Sequence, residues 1–549
     1  MGTTILTCIL LVLFFGTMIL TGVYCRRHAT DVDGFVLGGR SVGPWLTAFA
    51  FGTSYFSAVI FVGYAGQFGW NFGLASTWIG LGNAFIGSLL AWVMLGRRTR
   101  LMTQHIQSKT MPDFFEKRYG SNALKIVASV IVFIFLIPYT ASLYNGLSSL
   151  FDIAFDVPYW VVITVMALLT CVYVLFGGYM ATAINDFVQG IIMLVGIIAV
   201  IATLISSQGG LSEAVSKLSE ISSPYPESAG AQGAFTSFFG AQPFYLLIVV
   251  LLTSLGTWGL PQMVGKFYSI KNEDAIKKGT VISTLFAIIV AGGCYFIGGF
   301  GRLYTDLLVG EGGNSGSFKN FDAIVPTILS TLPDIIIAIV IILVLAASMS
   351  TLSSLVLTSA STLTLDVIMP IMRKRKIGDE LSESNSQKRQ LIILRAFVAF
   401  FVAISALIAI VKDMNPEFTF IAQMMGVSWG ALAGAFIAPF LYGLYSKRIT
   451  RAACWVSFGF GVGVELIQLV LMFVGTKFSL IFGECGFTAV LDFIFKNSLY
   501  SGVFAMLGSL VLVPIVSLFT PACDKKCVDE IFTCYDSEVT VSVTDTLGK

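Results

Sequence analysis

Apolar runs long enough to cross a bilayer, which takes about 20 residues of helix, recur along the whole of this 549-residue chain. They fall near 4–25, 44–66, 72–95, 123–150, 157–178, 184–206, 240–262, 277–301, 334–365, 391–411, 418–443, 452–475 and 497–520, thirteen in all. In lipid every backbone polar group must be satisfied by the segment itself or by neighbouring protein. The expected fold class is therefore an all-α polytopic membrane protein with thirteen transmembrane helices. Hydrophobic residues make up 56% of the chain and charged residues only 12%, against about 25% charged in soluble domains. No soluble domain of ordinary size fits in what remains.

The scarce residues narrow the function classes. Only two histidines occur, His28 and His105, both in polar connecting segments, so zinc, haem and Ser-His-Asp chemistry are not expected. Most of the nine cysteines sit in spans, where cysteine behaves as a small hydrophobe. Cys523, Cys527 and Cys534 cluster in the polar tail, but their spacing matches no metal site. No nucleotide-binding fingerprint appears in any connection. The chain is read as neither an enzyme nor an ATP-driven pump, with no cofactor and no metal other than a coupling ion.

Basic residues orient the spans. With the N-terminus outside, 27 of the 33 lysines and arginines fall in cytosolic segments, as the positive-inside rule requires. Arg26 and Arg27 follow the first span and no basic residue precedes it, the reverse of a cleaved signal peptide. The odd span count puts the C-terminus in the cytosol. A net charge of +2 then reflects topology, and no nucleic-acid partner is expected. The segment 207–239 is rich in Gly, Ser and Pro; 366–390 alternates in sign and reads as a solvated linker. The stretch 521–549, which ends acidic and rich in Ser and Thr, reads as disordered.

Two spans carry polar residues at membrane depth. Ten of the twenty residues from Ala346 to Leu365 bear a side-chain hydroxyl. On a helix, Ala347, Ser350, Thr351, Ser354, Thr358 and Ser361 share one stripe, bordered by Ser353. A stripe of neutral oxygens suits a hard monovalent cation such as Na⁺; it also suits a helix–helix seam of small residues. The second span contains Gly52, then Thr53-Ser54-Tyr55, then Gly63 and Gly66. Glycine and hydroxyl residues halfway through a span mark where a helix can unwind and free its carbonyls. Gly256-Thr257-Trp258-Gly259-Leu260-Pro261 gives the seventh span a similar break. Asp186 is the one acid near membrane depth in the core, at a cost of roughly 2.5–3.5 kcal/mol, and no buried lysine or arginine is expected to pair it. Glu465 lies in the twelfth span, where a structural hydrogen bond is expected.

These residues belong to a longer pattern. FVLGGRSVGPWLTA leading into TSYFSA, TWIGLG, MPDFFEKRYG, FGGYMATAINDFVQG, WGLPQMVGKF, LAASMSTLSS and GLYSKRITRAA appear in order. The chain thereby resembles the sodium/solute symporters, most nearly the sodium/proline and sodium/pantothenate branches. The resemblance implies a LeuT-like fold of two inverted five-helix repeats. These would be a first helix and linker over 1–43, a ten-helix core over 44–443 with repeats near 44–206 and 240–443, two accessory helices over 444–520, and the tail over 521–549. It implies Na⁺-coupled import of a small organic solute by alternating access, with a monomer in the plasma (inner) membrane as the working unit. The alternative is a transporter-like sensor signalling to a partner. Relatives of that kind usually carry a C-terminal kinase, for which 521–549 is too short.

Carried over by motif, the resemblance puts a sodium site at the carbonyls of Thr53, Phe56 and Ala347 and the hydroxyls of Ser350 and Thr351. A second sodium site, found in some relatives, would use Asp186, Ser353 and Ser354. Ser57, Trp78, Tyr139, Thr257 and Trp258 match positions that face substrate. Proline carriers have an acidic residue at Tyr55, a tryptophan at Val59 and a tyrosine at Thr257, so the solute stays open among amino acids such as proline, pantothenate and similar monocarboxylates.

Overall fold

The computed structural model describes residues 2–26, 29–155, 158–309, 320–375, 383–413 and 421–539, and these are almost entirely helical. Among them, ten helices are long and apolar enough to cross a membrane, or eleven when the bent pair Pro243–Gly259 and Pro261–Tyr268 counts as one span. Thirteen separate spans were expected. The difference comes from two long helical stretches, Val59–His105 and Tyr159–Ser207, of 47 and 49 residues. Each contains one glycine in a conformation that L side chains avoid: Gly73 at φ 65°, ψ −142° and Gly178 at φ 55°, ψ −147°. A single residue makes each bend where two separate spans were expected.

Small residues set how closely the helices approach. A Cβ on Gly69 would collide with the backbone of Gly298, and one on Gly298 with the carbonyl of Ala65. Gly80 is packed likewise against Gly292. These contacts clamp the stretch beginning at Val59 against the Glu273–Gly299 helix, which also carries Phe286 into contact with Gly52. The Asp334–Thr362 helix is buried along most of its length and packs on Pro44–Tyr55 and Tyr159–Ser207. It is the central post of the molecule.

The ends are tied by arginines that were read as topology signals alone. Arg100 and Arg118 are buried and donate to the carbonyls of Ile270 (2.6 Å) and Gly443 (3.0 Å). Toward the opposite end, Arg302 donates to the Trp70 carbonyl (2.7 Å) and lies against Trp70, Tyr225 and Phe235. Glu465 accepts from Ser501 at 2.9 Å, the structural hydrogen bond expected of it. The tail departs from expectation. Lys525–Phe532 is a helix that buries Val528 and Ile531, and Tyr535 donates to the Leu444 carbonyl at 2.7 Å. Apolar residues three apart give that helix one face to dock, a signal the acidic composition obscured; residues 540–549 lie outside the described residues.

Candidate ion and solute site

The helix Pro44–Tyr55 stops in the middle of its span. Phe56 takes an extended conformation (φ −96°, ψ 92°), its amide still bonded to Gly52, and helical geometry resumes at Val59. In an unbroken helix the Thr53 carbonyl would accept from the amide of Ser57. Here it accepts from the hydroxyls of Ser350 and Thr351, each at 3.1 Å. Both hydroxyls also reach the Ala347 carbonyl, at 3.1 and 3.2 Å. Thr53, Ala347, Ser350 and Thr351 therefore form one buried cluster of neutral oxygens. Phe56 sits at the break and lines a small cavity together with Ala347.

That cavity continues from the cluster and is walled by Phe61, Met193, Ile197, Val290, Cys294 and Leu343, with Ser57 among its lining residues. Ser57 lies beside the Tyr139 hydroxyl, which in turn lies beside Trp429. The Ser57 hydroxyl, the Tyr139 hydroxyl and the Trp429 indole N–H are all buried, and among the described residues none makes a hydrogen bond of full geometry. Polar groups buried together with only one another in reach favour a ligand that completes their hydrogen bonds. Tyr55 stacks on Phe56 with centroids 4.4 Å apart and stands 6.0 Å from Trp429, closing an aromatic wall.

The other residues singled out for solute lie elsewhere. Trp78 is 38% exposed and donates its indole N–H to the carbonyl of Phe238. Thr257 and Trp258 are buried in the break of the seventh span. Thr257 donates within its own helix to the Ser254 carbonyl (2.9 Å) and reaches the Gly87 carbonyl (3.4 Å), and Trp258 donates to the Ile86 carbonyl (3.0 Å), which pins the broken helix to its neighbour. Trp429 was not anticipated. It sits in the small-residue run Gly426–Gly434, which reads as a packing seam.

One turn beyond the oxygen cluster the hydroxyl stripe changes its role. Ser354, Thr358 and Ser361 line a cleft, with Lys109, Tyr179, Gln262 and Lys266 on its other walls. Lys266 is 3% exposed and reaches inward, donating to Ser354 Oγ at 2.9 Å and standing 3.5 Å from Asp186 Oδ2. Ser354 and Ser54 share a hydrogen bond of 2.7 Å. Asp186 thus has a basic partner, contrary to expectation. Lys266 was counted with the cytosolic basic residues, but Pro261 restarts the helix at its first position and carries Lys266 back into protein. Ser353 donates instead to the Ser350 carbonyl at 2.9 Å.

The comparisons with known proteins accord with this geometry. The model of the sodium:solute symporter family matches residues 35–461. The chain belongs to that family. It is 28% identical to the osmoregulated proline transporter OpuE of Bacillus subtilis (strain 168), over 83% of this chain and 87% of that one. It is also 28% identical to a sodium/proline symporter of Staphylococcus aureus (strain JH9), over 81% and 82% of the two chains. The solved structure of a Na⁺-coupled sialic acid symporter in its substrate-bound outward-open state superposes with a TM-score of 0.66 and 16% identity, covering 95% of this chain and 99% of that one. That likeness shows a shared fold. As a member of the family, the chain is a multi-pass membrane transporter and not an enzyme.

Proposed function

We propose that this symporter imports a small monocarboxylate solute, with L-proline the first candidate, driven by Na⁺ bound at Thr53, Phe56, Ala347, Ser350 and Thr351. The observation that carries the reading is the Thr53 carbonyl. A helix break frees it, and two hydroxyls of the facing helix converge on it at the edge of a buried cavity. Carbonyl and hydroxyl oxygens without a fixed charge suit a monovalent cation held reversibly. Ser57 on the cavity wall, with Tyr139 and Trp429 beside it, offers neutral donors for a carboxylate, while Phe56, Met193, Ile197 and Val290 supply an apolar wall for an aliphatic ring. Sodium next to that cavity offsets the carboxylate charge, which ties solute affinity to the ion.

The chain is read with thirteen crossings in the LeuT-like arrangement. A helix of 47 or 49 residues spans about 70 Å, more than twice the ~30 Å hydrocarbon core. Val59–His105 and Tyr159–Ser207 are therefore each taken as parts of two crossings that meet at Gly73 and Gly178. With the N-terminus outside, the cleft beside Lys109 and Lys266 faces the cytosol and is the exit path for ion and solute. The test is uptake into proteoliposomes under an inward Na⁺ gradient, using labelled L-proline, other amino acids, pantothenate and short monocarboxylates. Accumulation that needs Na⁺ and is weakened by Ser350→Ala supports the reading. Uptake indifferent to Na⁺ overturns it.

A further inference from the structure

Asp186 and Lys266 form a buried ion pair that the proposed sodium site does not use. They come from different helices, Tyr159–Ser207 and Pro261–Tyr268, and meet against a third at Ser354. The ammonium also lies 5.3 Å from the centroid of the Tyr179 ring, at cation–π range. Ser54, bonded to Ser354, is next in sequence to Thr53. The pair therefore stands one side chain away from the oxygen cluster.

From this geometry we infer that the Lys266 ammonium is a tethered cation taking the place of a second sodium, so that this transporter binds one Na⁺ per chain. The inference rests on the proposed function for that one ion. A sodium held by Asp186 and Ser354 would need the same oxygens that Lys266 already contacts, and would sit against the ammonium. One carboxylate balances one cation; adding another leaves net positive charge on side chains that are almost wholly buried. Asp186 Oδ1 has no hydrogen-bond partner among the described residues, but an open lone pair does not alter that balance. Because the ammonium is covalently attached, it cannot be released to the cytosol with each cycle, so it contributes no gradient energy.

The test counts bound ²²Na⁺ on the purified full chain in the absence of any solute. The wild type is expected to bind one ion per chain with a Hill coefficient of one. Lys266→Gln exposes an unpaired Asp186 and is expected to bind a second ion, with a Hill coefficient rising toward two and a melting temperature that climbs with Na⁺. Adding Asp186→Asn to Lys266→Gln returns the count to one. Two ions on the wild type, or one on a folded Lys266→Gln, overturns the inference. If Lys266→Gln does not fold, the wild-type count decides alone. No bound ion on the wild type overturns the sodium site of the proposed function, and this inference with it, so the two failures read differently as none and two.

Discussion

Two clusters share the central Asp334–Thr362 helix, one turn apart, and they are built in opposite ways. Ser350 and Thr351 meet the Thr53 carbonyl, and every group there is neutral. Ser354 meets Lys266, which pairs with Asp186, and two of those three are charged and buried. A neutral oxygen cluster can take up an ion and give it back, because its own hydrogen bonds partly replace the lost coordination. A buried ion pair cannot lose a member without leaving a bare charge. One stripe of serine and threonine thus supplies both a reversible site and a fixed one, and the partner across the helix decides which.

The largest effect should come from breaking the pair. Lys266→Ala leaves Asp186 unpaired, and truncating one member of a buried pair costs about 3–5 kcal/mol. In Na⁺-free buffer the purified variant should melt well below the wild type, and an unchanged melting temperature would show that the pair is not buried as described. Next, Ser350→Ala or Thr351→Ala should raise the Na⁺ concentration for half-maximal uptake about tenfold or more. A contact to a charge is worth roughly 1.5–3 kcal/mol; membrane levels should hold, since alanine packs well in a helix.

Smaller changes test the cavity beside the neutral cluster, on the side away from the ion pair. Tyr139→Phe and Ser57→Ala each remove one neutral donor, worth about 0.5–1.5 kcal/mol. They should raise the solute KM a few-fold to about tenfold, while Na⁺ binding measured without solute stays put. Loss of that ion binding instead would join the cavity to the ion cluster as one site. The smallest effect is expected at Ser353, which belongs to neither cluster and donates to the Ser350 carbonyl of its own helix. Ser353→Ala should stay within about 0.5 kcal/mol in stability and leave the sodium count untouched. A lost ion in that variant would erase the contrast between the two clusters.

Much of this was legible in the residues. The break after Gly52 and the grouping of Ala347, Ser350 and Thr351 both follow from helical periodicity and from what lipid forbids. The bond from Ser501 to Glu465 follows the rule that a buried acid finds a donor. Trp78 was placed toward solute by resemblance alone, and its bond to the Phe238 carbonyl, 160 residues away, is a contact that no local pattern announces. Trp429 was hidden by its small neighbours, since a packing seam and a pocket wall have the same composition.

By itself the sequence determined the membrane class, the transporter family and the places where two helices must break. Those depend on local quantities: apolar length, glycine and proline position, and hydroxyl spacing along one helix. Only the tertiary structure decided what each freed or buried group meets. Lys266 lies 80 residues from Asp186 and 88 from Ser354, and no local rule says that a lysine five positions after Pro261 turns inward. Burial of a charge is a property of the partner it finds, and that partner comes from elsewhere in the chain.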